Sequence, residues 1–146
     1  MENEQGYRAP QVKDIVGISY RQLDYWARTD LVRPSIRDAG GSGTQRLYSF
    51  RDLLSLRVVK QLLDAGVSLQ KVRQAVEAIG DLDEQPEGLN IMSDGKHIYA
   101  ASSPEEVFDV LQKGQGVFAI AVDRVWSDLE GSIKKRGRAA AAAGGA

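Results

Sequence analysis

Arg21, Tyr25 and Arg28 stand at positions i, i+4 and i+7, with Gln22 beside them. On a helix that spacing gathers all four on one side. Arginine and glutamine pair bidentately with base edges in a DNA major groove. A tyrosine hydroxyl or an arginine also binds phosphate oxygens, and the start of the same helix, at Ser19 and Tyr20, adds its dipole to the attraction for phosphate. An ordinary solvated helix face uses the same residue types, so the surrounding elements must decide between the two. Other chemistry finds little material. The chain has no cysteine and one histidine, His97, which reads as a packed or surface residue; soft-metal ligation uses thiolates. There is no glycine-rich phosphate loop followed by lysine and no nucleophile elbow. Glu105 and Glu106 are explained as helix-capping residues. No catalytic residue, metal ligand or cofactor is therefore assigned, and the chain is not expected to be an enzyme. Lys134, Lys135, Arg136 and Arg138 read as a solvated terminal run, with phosphate contact as the alternative.

The elements that would position the Arg21 face are strongly punctuated. Pro10 opens a short helix with Val12, Ile15 and Val16 on one side, and Gly17 ends it. Ser19 and Gln22 form a capping box that starts the second helix, which closes near Thr29 and Asp30. Leu23, Trp26 and Ala27 form its inward face. Two short helices joined by a tight glycine-containing turn make a helix-turn-helix candidate. From Arg33 to Thr44 the chain contains Pro34 and Gly40-Gly41-Ser42-Gly43. Its flanks, Leu31-Val32 and Arg46-Leu47-Tyr48, have strand character, so the segment reads as a hairpin wing or as a mobile surface loop. Ser49 caps a third helix that is apolar around much of its circumference. Gly66 stops it, and Ser68 caps a fourth with Leu69, Val72, Val76 and Ile79 at helical spacing.

Residues 81–88 are acidic, contain Pro86, lack periodicity and read as a linker. Beyond it, Ser93-Asp94-Gly95-Lys96 between alternating segments predicts a hairpin. Ser103-Pro104-Glu105-Glu106 predicts a helix start. Val117 to Val122 is a buried strand or the first turns of a helix, and Val125, Trp126, Leu129 and Ile133 continue helically. The apolar Val117, Ile120, Val122 and Trp126 form either the core of this unit or part of a self-association surface. Residues 137–146, GRAAAAAGGA, read as a disordered tail. The expected fold is thus α+β: a winged helix-turn-helix of four helices and a small β-hairpin wing over 7–80, the linker, and a small α+β regulatory or dimerisation domain over 89–136.

Composition agrees with this division. The 146-residue chain carries a net charge of −1. Residues 7–60 hold ten Lys/Arg against five Asp/Glu, whereas residues 81–146 hold seven against eleven. A basic front half suits an anionic partner such as nucleic acid. No apolar run is long enough to cross a bilayer, the polar start is not a secretory signal, and the cytoplasm is the expected compartment.

From Tyr7 to Ile79 the chain resembles the MerR family of bacterial transcription regulators. The matching pieces, in order, are Gly17-Ile18-Ser19, Arg21-Gln22-Leu23, Tyr25-Trp26, Asp30 to Pro34, Arg46-Leu47-Tyr48-Ser49 with Asp52-Leu53, and Leu63 to Leu69. The resemblance implies a winged helix-turn-helix that binds double-stranded promoter DNA. It implies a recognition-helix role for Arg21, a DNA-backbone contact for Tyr25, and wing-exit roles for Arg46 and Tyr48, although core packing suits Tyr48 equally. Thr44, Gln45 and Lys60 complete the candidate set with Ser19, Tyr20, Gln22 and Arg28.

Asp24 stands where the family commonly has Arg. It would repel phosphate, so it must face away from DNA or form an intraprotein pair. The glycine-rich 39–43 insert leaves its contacts unassigned. After residue 80 the family's long dimerisation helix is absent, so its usual dimerisation mode and its distortion of promoter DNA are not carried over. The chain is similar to an actinobacterial MerR-like subgroup with a compact C-terminal domain, some members of which are associated with cell-division genes. The expected function is a sequence-specific regulator acting at promoters as a homodimer, with RNA polymerase as a further contact and no effector named. The alternative is a protein-interaction adaptor or ligand-sensing module that uses the same scaffold without specific DNA binding.

Overall fold

A computed structural model describes residues 6–37, 46–80, 87–94, 97–113 and 118–144. Helix α1, Ala9–Val12, runs directly into a π-helical turn, Lys13–Gly17. The turn ends where Gly17 takes φ +84°, a left-handed conformation that glycine adopts without cost. Helix α2, Tyr20–Arg28, begins with the expected capping box: Ser19 Oγ accepts from Gln22 N, and Gln22 Oε1 accepts from Ser19 N, both at 3.1 Å. It closes in a Schellman arrangement. Asp30 adopts φ +63°, Asp30 N donates to Ala27 O, and Leu31 N donates to Trp26 O.

That closure explains why the expected strand at Leu31-Val32 does not form. Both amide groups are spent on Trp26 O, and both side chains are buried at the helix end. Between α2 and helix α3, Phe50–Asp64, pairing among the described residues comes down to two isolated antiparallel bridges, Arg37 with Leu47 and Tyr7 with Tyr48. The wing expected as a hairpin is therefore a looser loop at its described base, and its return limb is shared with the N-terminal segment. Asp52 fastens it. Its Oδ2 accepts from Ser35 N, Ser35 Oγ and Ser49 N, each at 2.8 Å. Helix α3 ends at a second Schellman closure, with Val67 N on Leu62 O and Gly66 N on Leu63 O, and helix α4, Leu69–Gly80, follows.

The second half is built on a three-stranded antiparallel sheet of order β2-β1-β3, with β1 at Asn90–Ser93, β2 at Ile98–Ala101 and β3 at Phe118–Ala121. The expected β1–β2 hairpin forms, with Ser93 opposite Ile98 and Met92 opposite Tyr99. Helix α5, Pro104–Lys113, has proline at its first position, and Ser103 Oγ caps Glu106 N. The Glu106 carboxylate accepts from Ser102 N and Oγ rather than completing the box at Ser103. The ambiguous run from Val117 divides: Phe118–Ala121 is strand, and helix α6 starts at Val122. That helix continues to Gly144, where composition suggested a disordered tail. Alanine has the highest helix propensity of any residue, so an alanine run extends a helix already nucleated.

The two halves share one core. A single apolar cluster runs from Val12, Leu23 and Trp26 through Leu53, Leu62 and Ile79 to Ile91, Ile120, Val125 and Leu129. Helix α6 lies against α3, with Phe50 and Trp126 packed edge to face at 4.6 Å. Arg136 Nη2, further along α6, donates to Asp14 O at 2.9 Å. Alternation along β1 feeds both faces of the sheet: Ile91 enters the shared core, and Met92 packs with Val110 beneath α5. Of the four apolar residues weighed for self-association, Ile120 and Val122 are buried, and Trp126 is partly buried against that core. They serve intramolecular packing, and Val117 lies outside the described residues.

Candidate nucleic-acid interface

Helix α2 is pinned by its apolar side. Leu23, Trp26 and Ala27 are at most 5% exposed. That orientation turns Arg21, Gln22, Tyr25 and Arg28 to solvent, with Ser19 and Tyr20 at the same end of the exposed strip. Tyr20 is 52% and Tyr25 49% exposed, large values for aromatic side chains in a folded chain. Lys13, which the sequence did not single out, places its Nζ 5.4 Å from the centre of the Tyr20 ring. The helix-turn-helix side therefore presents cations, phenols and an amide together, with none of them covered by the C-terminal half.

Gln22 is more constrained than its position suggests. Its Oε1 is engaged by Ser19 N, so in this conformation it cannot offer oxygen and nitrogen together to an adenine edge. Ser19 Oγ is likewise committed to the cap.

Asp24 sits at the border of the exposed face and resolves the question its charge raised. Oδ2 accepts from Arg28 Nε at 2.8 Å, and Oδ1 accepts from Arg46 Nη1 at 3.0 Å. One carboxylate thus ties the helix to the return limb of the loop. Hydrogen bonds from Arg28, then from Arg46, hold its carboxyl below the usual range. The lowered value means the ties are intact at neutral pH and are lost only as pH falls through it.

Tyr48 is corrected. It is 0% exposed, inside the core, with its backbone paired to Tyr7, so it cannot reach DNA. Lys60 lies on α3, where its Nζ pairs with Asp64 Oδ2 at 2.8 Å. Thr44 and Gln45 lie outside the described residues.

Two arginines that sequence spacing could not reveal hold the π-helical turn and the end of α2 from behind. Arg57 of α3 donates to Val16 O, and Arg73 of α4 donates to Thr29 O and Asp30 O at the end of α2. A cation on those carbonyls satisfies otherwise orphaned acceptors and complements the helix dipole. Their partners are more than forty residues away in sequence, beyond any local signal.

In the C-terminal half, a cavity of about 470 Å³ opens beside α5, lined chiefly by Pro104, Val107, Phe108 and Leu111 with Asn90 and Ser102. Its lining is apolar with a few neutral polar groups and names no ligand class. Among the described residues there is no cluster of three metal-ligating side chains and no helix long and apolar enough to cross a membrane.

Residues 7–79, half of the chain, match the MerR HTH family regulatory protein model. The chain is 54% identical over 129 residues to the uncharacterized HTH-type transcriptional regulators Rv1830 of Mycobacterium tuberculosis and Mb1861 of Mycobacterium bovis. That alignment takes in 88% of this chain and 57% of each relative, so the chain spans little more than half the length of those proteins. It is also 29% identical over 101 residues to the HTH-type transcriptional regulator GlnR of Bacillus cereus, covering 69% of this chain and 73% of that protein.

Proposed function

The chain belongs to the MerR family of helix-turn-helix regulatory proteins, and from that premise we propose that it is a sequence-specific DNA-binding transcription regulator that acts at promoters as a homodimer. The observation that carries this reading is the α2 strip. Four side chains suited to base edges and phosphates share one exposed face, while the opposite face is locked into the core.

In this reading α2 enters the major groove. Arg21 reads a base, Tyr25 contacts the backbone, and the amide nitrogen of Gln22 is the part of that side chain offered outward. The loop between α2 and α3 lies alongside as the wing, with Arg46 at its base. A single module of this size covers limited DNA, so two copies on a two-fold site with half-sites about 34–36 Å apart suit the task. The chain works in the cytoplasm and binds rather than catalyses.

Fluorescence anisotropy tests the proposal with two duplexes: one selected by the protein from a random-sequence library, and a scrambled duplex of the same composition. At moderate salt the selected duplex is expected to bind tighter by about a thousandfold or more. Equal affinity for the two would favour the adaptor reading instead.

A further inference from the structure

We propose that Asp24 sets sequence specificity by acting as an internal counter-ion, holding Arg28 and Arg46 away from non-target phosphates and releasing Arg28 to DNA only once the α2 face has engaged its bases. This deepens the DNA-binding reading and rests on it.

The geometry is that of one anion shared by two cations. Each carboxylate oxygen takes one guanidinium, Oδ2 from Arg28 at 2.8 Å and Oδ1 from Arg46 at 3.0 Å. The two partners differ in freedom. The Arg28 side chain is 62% exposed and lies on the same helix, whereas that of Arg46 is 21% exposed and comes from the loop base. Aspartate four residues before arginine is the favourable helical order, but such exposed pairs are weak and break at little cost. Arg46, more enclosed, is the fixed partner, and Arg28 is the exchangeable one.

The consequence follows from how proteins hold DNA indiscriminately. Non-specific affinity grows with the number of phosphates neutralised, and each adds about 0.9 to the salt slope. A cation already paired inside the protein contributes less to that count. Base contacts from Arg21 bring the backbone close to α2. Only there does a phosphate compete with Asp24 for Arg28. A carboxylate at the border of the interface therefore costs affinity everywhere and costs least at the right sequence, which raises the ratio between them.

The test compares the full chain with Asp24→Asn, which keeps the side-chain shape and removes the charge. Anisotropy titrations across a salt series would use the selected and scrambled duplexes, with circular dichroism confirming the fold. The Asn variant is expected to bind the scrambled duplex about threefold to tenfold tighter at moderate salt, with a slope steeper by about one. The preference for the selected duplex shrinks accordingly. Asp24→Glu is expected to restore the original slope, and adding Arg28→Gln to the Asn variant to remove the gain. A purely structural tether would instead weaken binding to both duplexes with an unchanged slope, and that result, or an unchanged scrambled affinity, overturns the proposal. If the Asn variant unfolds, Asp24→Gln, with its better helix propensity, makes the same comparison. Should the unmodified chain bind the two duplexes equally, the regulator reading falls while the slope on the scrambled duplex still decides the role of Asp24. If chain and variant alike bind neither duplex at low salt, both readings fall.

Discussion

Arg21→Ala is expected to lower affinity for the selected duplex by about 1–3 kcal/mol, roughly fivefold to 150-fold, while removing discrimination at one base position. Arg21 differs from the other cations near it. Arg28 and Arg46 are engaged by Asp24. Arg21 is exposed, and its side chain makes no hydrogen bond or ion pair among the described residues. It also sits in the first turn of α2, the end that enters a groove first in a helix-turn-helix complex. In the proposed reading its loss removes a direct base contact rather than a phosphate contact. The scrambled duplex should therefore lose far less than the selected one. An equal loss on both, with a flatter salt slope, would show that Arg21 binds backbone instead.

The second large effect concerns the fold. Leu129→Ala is expected to cost about 2–5 kcal/mol, from the lost transfer energy and the cavity left behind. That is a large share of the 5–15 kcal/mol or so that holds an ordinary domain together. Leu129 is fully buried in α6, yet its cluster includes the helix-turn-helix residues Val12, Leu23 and Trp26. The loss should therefore be felt by the whole chain. The two tryptophans report on the two halves, Trp26 from α2 and Trp126 from α6. Urea unfolding followed by single-tryptophan fluorescence should show both moving together to a lower midpoint. A shift at Trp126 with Trp26 unmoved would mean that the halves fold independently.

Much of this arrangement was legible in the sequence because it is encoded locally. Ser19 with Gln22, Ser49 with Asp52 and the turn at Gly66 are signals a few residues long, and each marks the helix boundary found in the structure. The inward and outward faces of α2 follow from helical periodicity alone. What escaped depends on distance or competition. The Arg57 and Arg73 contacts close loops of more than forty residues. Core packing of Tyr48 was one of two open readings, and its place in the core, paired through the backbone with the distant Tyr7, decides it. Strand character at Leu31-Val32 lost to the capping demand of Trp26 O. The intramolecular use of Ile120, Val122 and Trp126 was one of two open readings, and only the tertiary position of α6 against α3 decides it.

The placement of α2 is tested most directly by methylation interference on the selected duplex. Methyl groups on guanine N7 project into the major groove, and those on adenine N3 into the minor groove. If α2 lies in the major groove, N7 methylation at defined guanines blocks binding, and at least one of those positions loses its effect in Arg21→Ala. Interference confined to adenine N3, or an Arg21→Ala pattern identical to that of the unmodified chain, would contradict it.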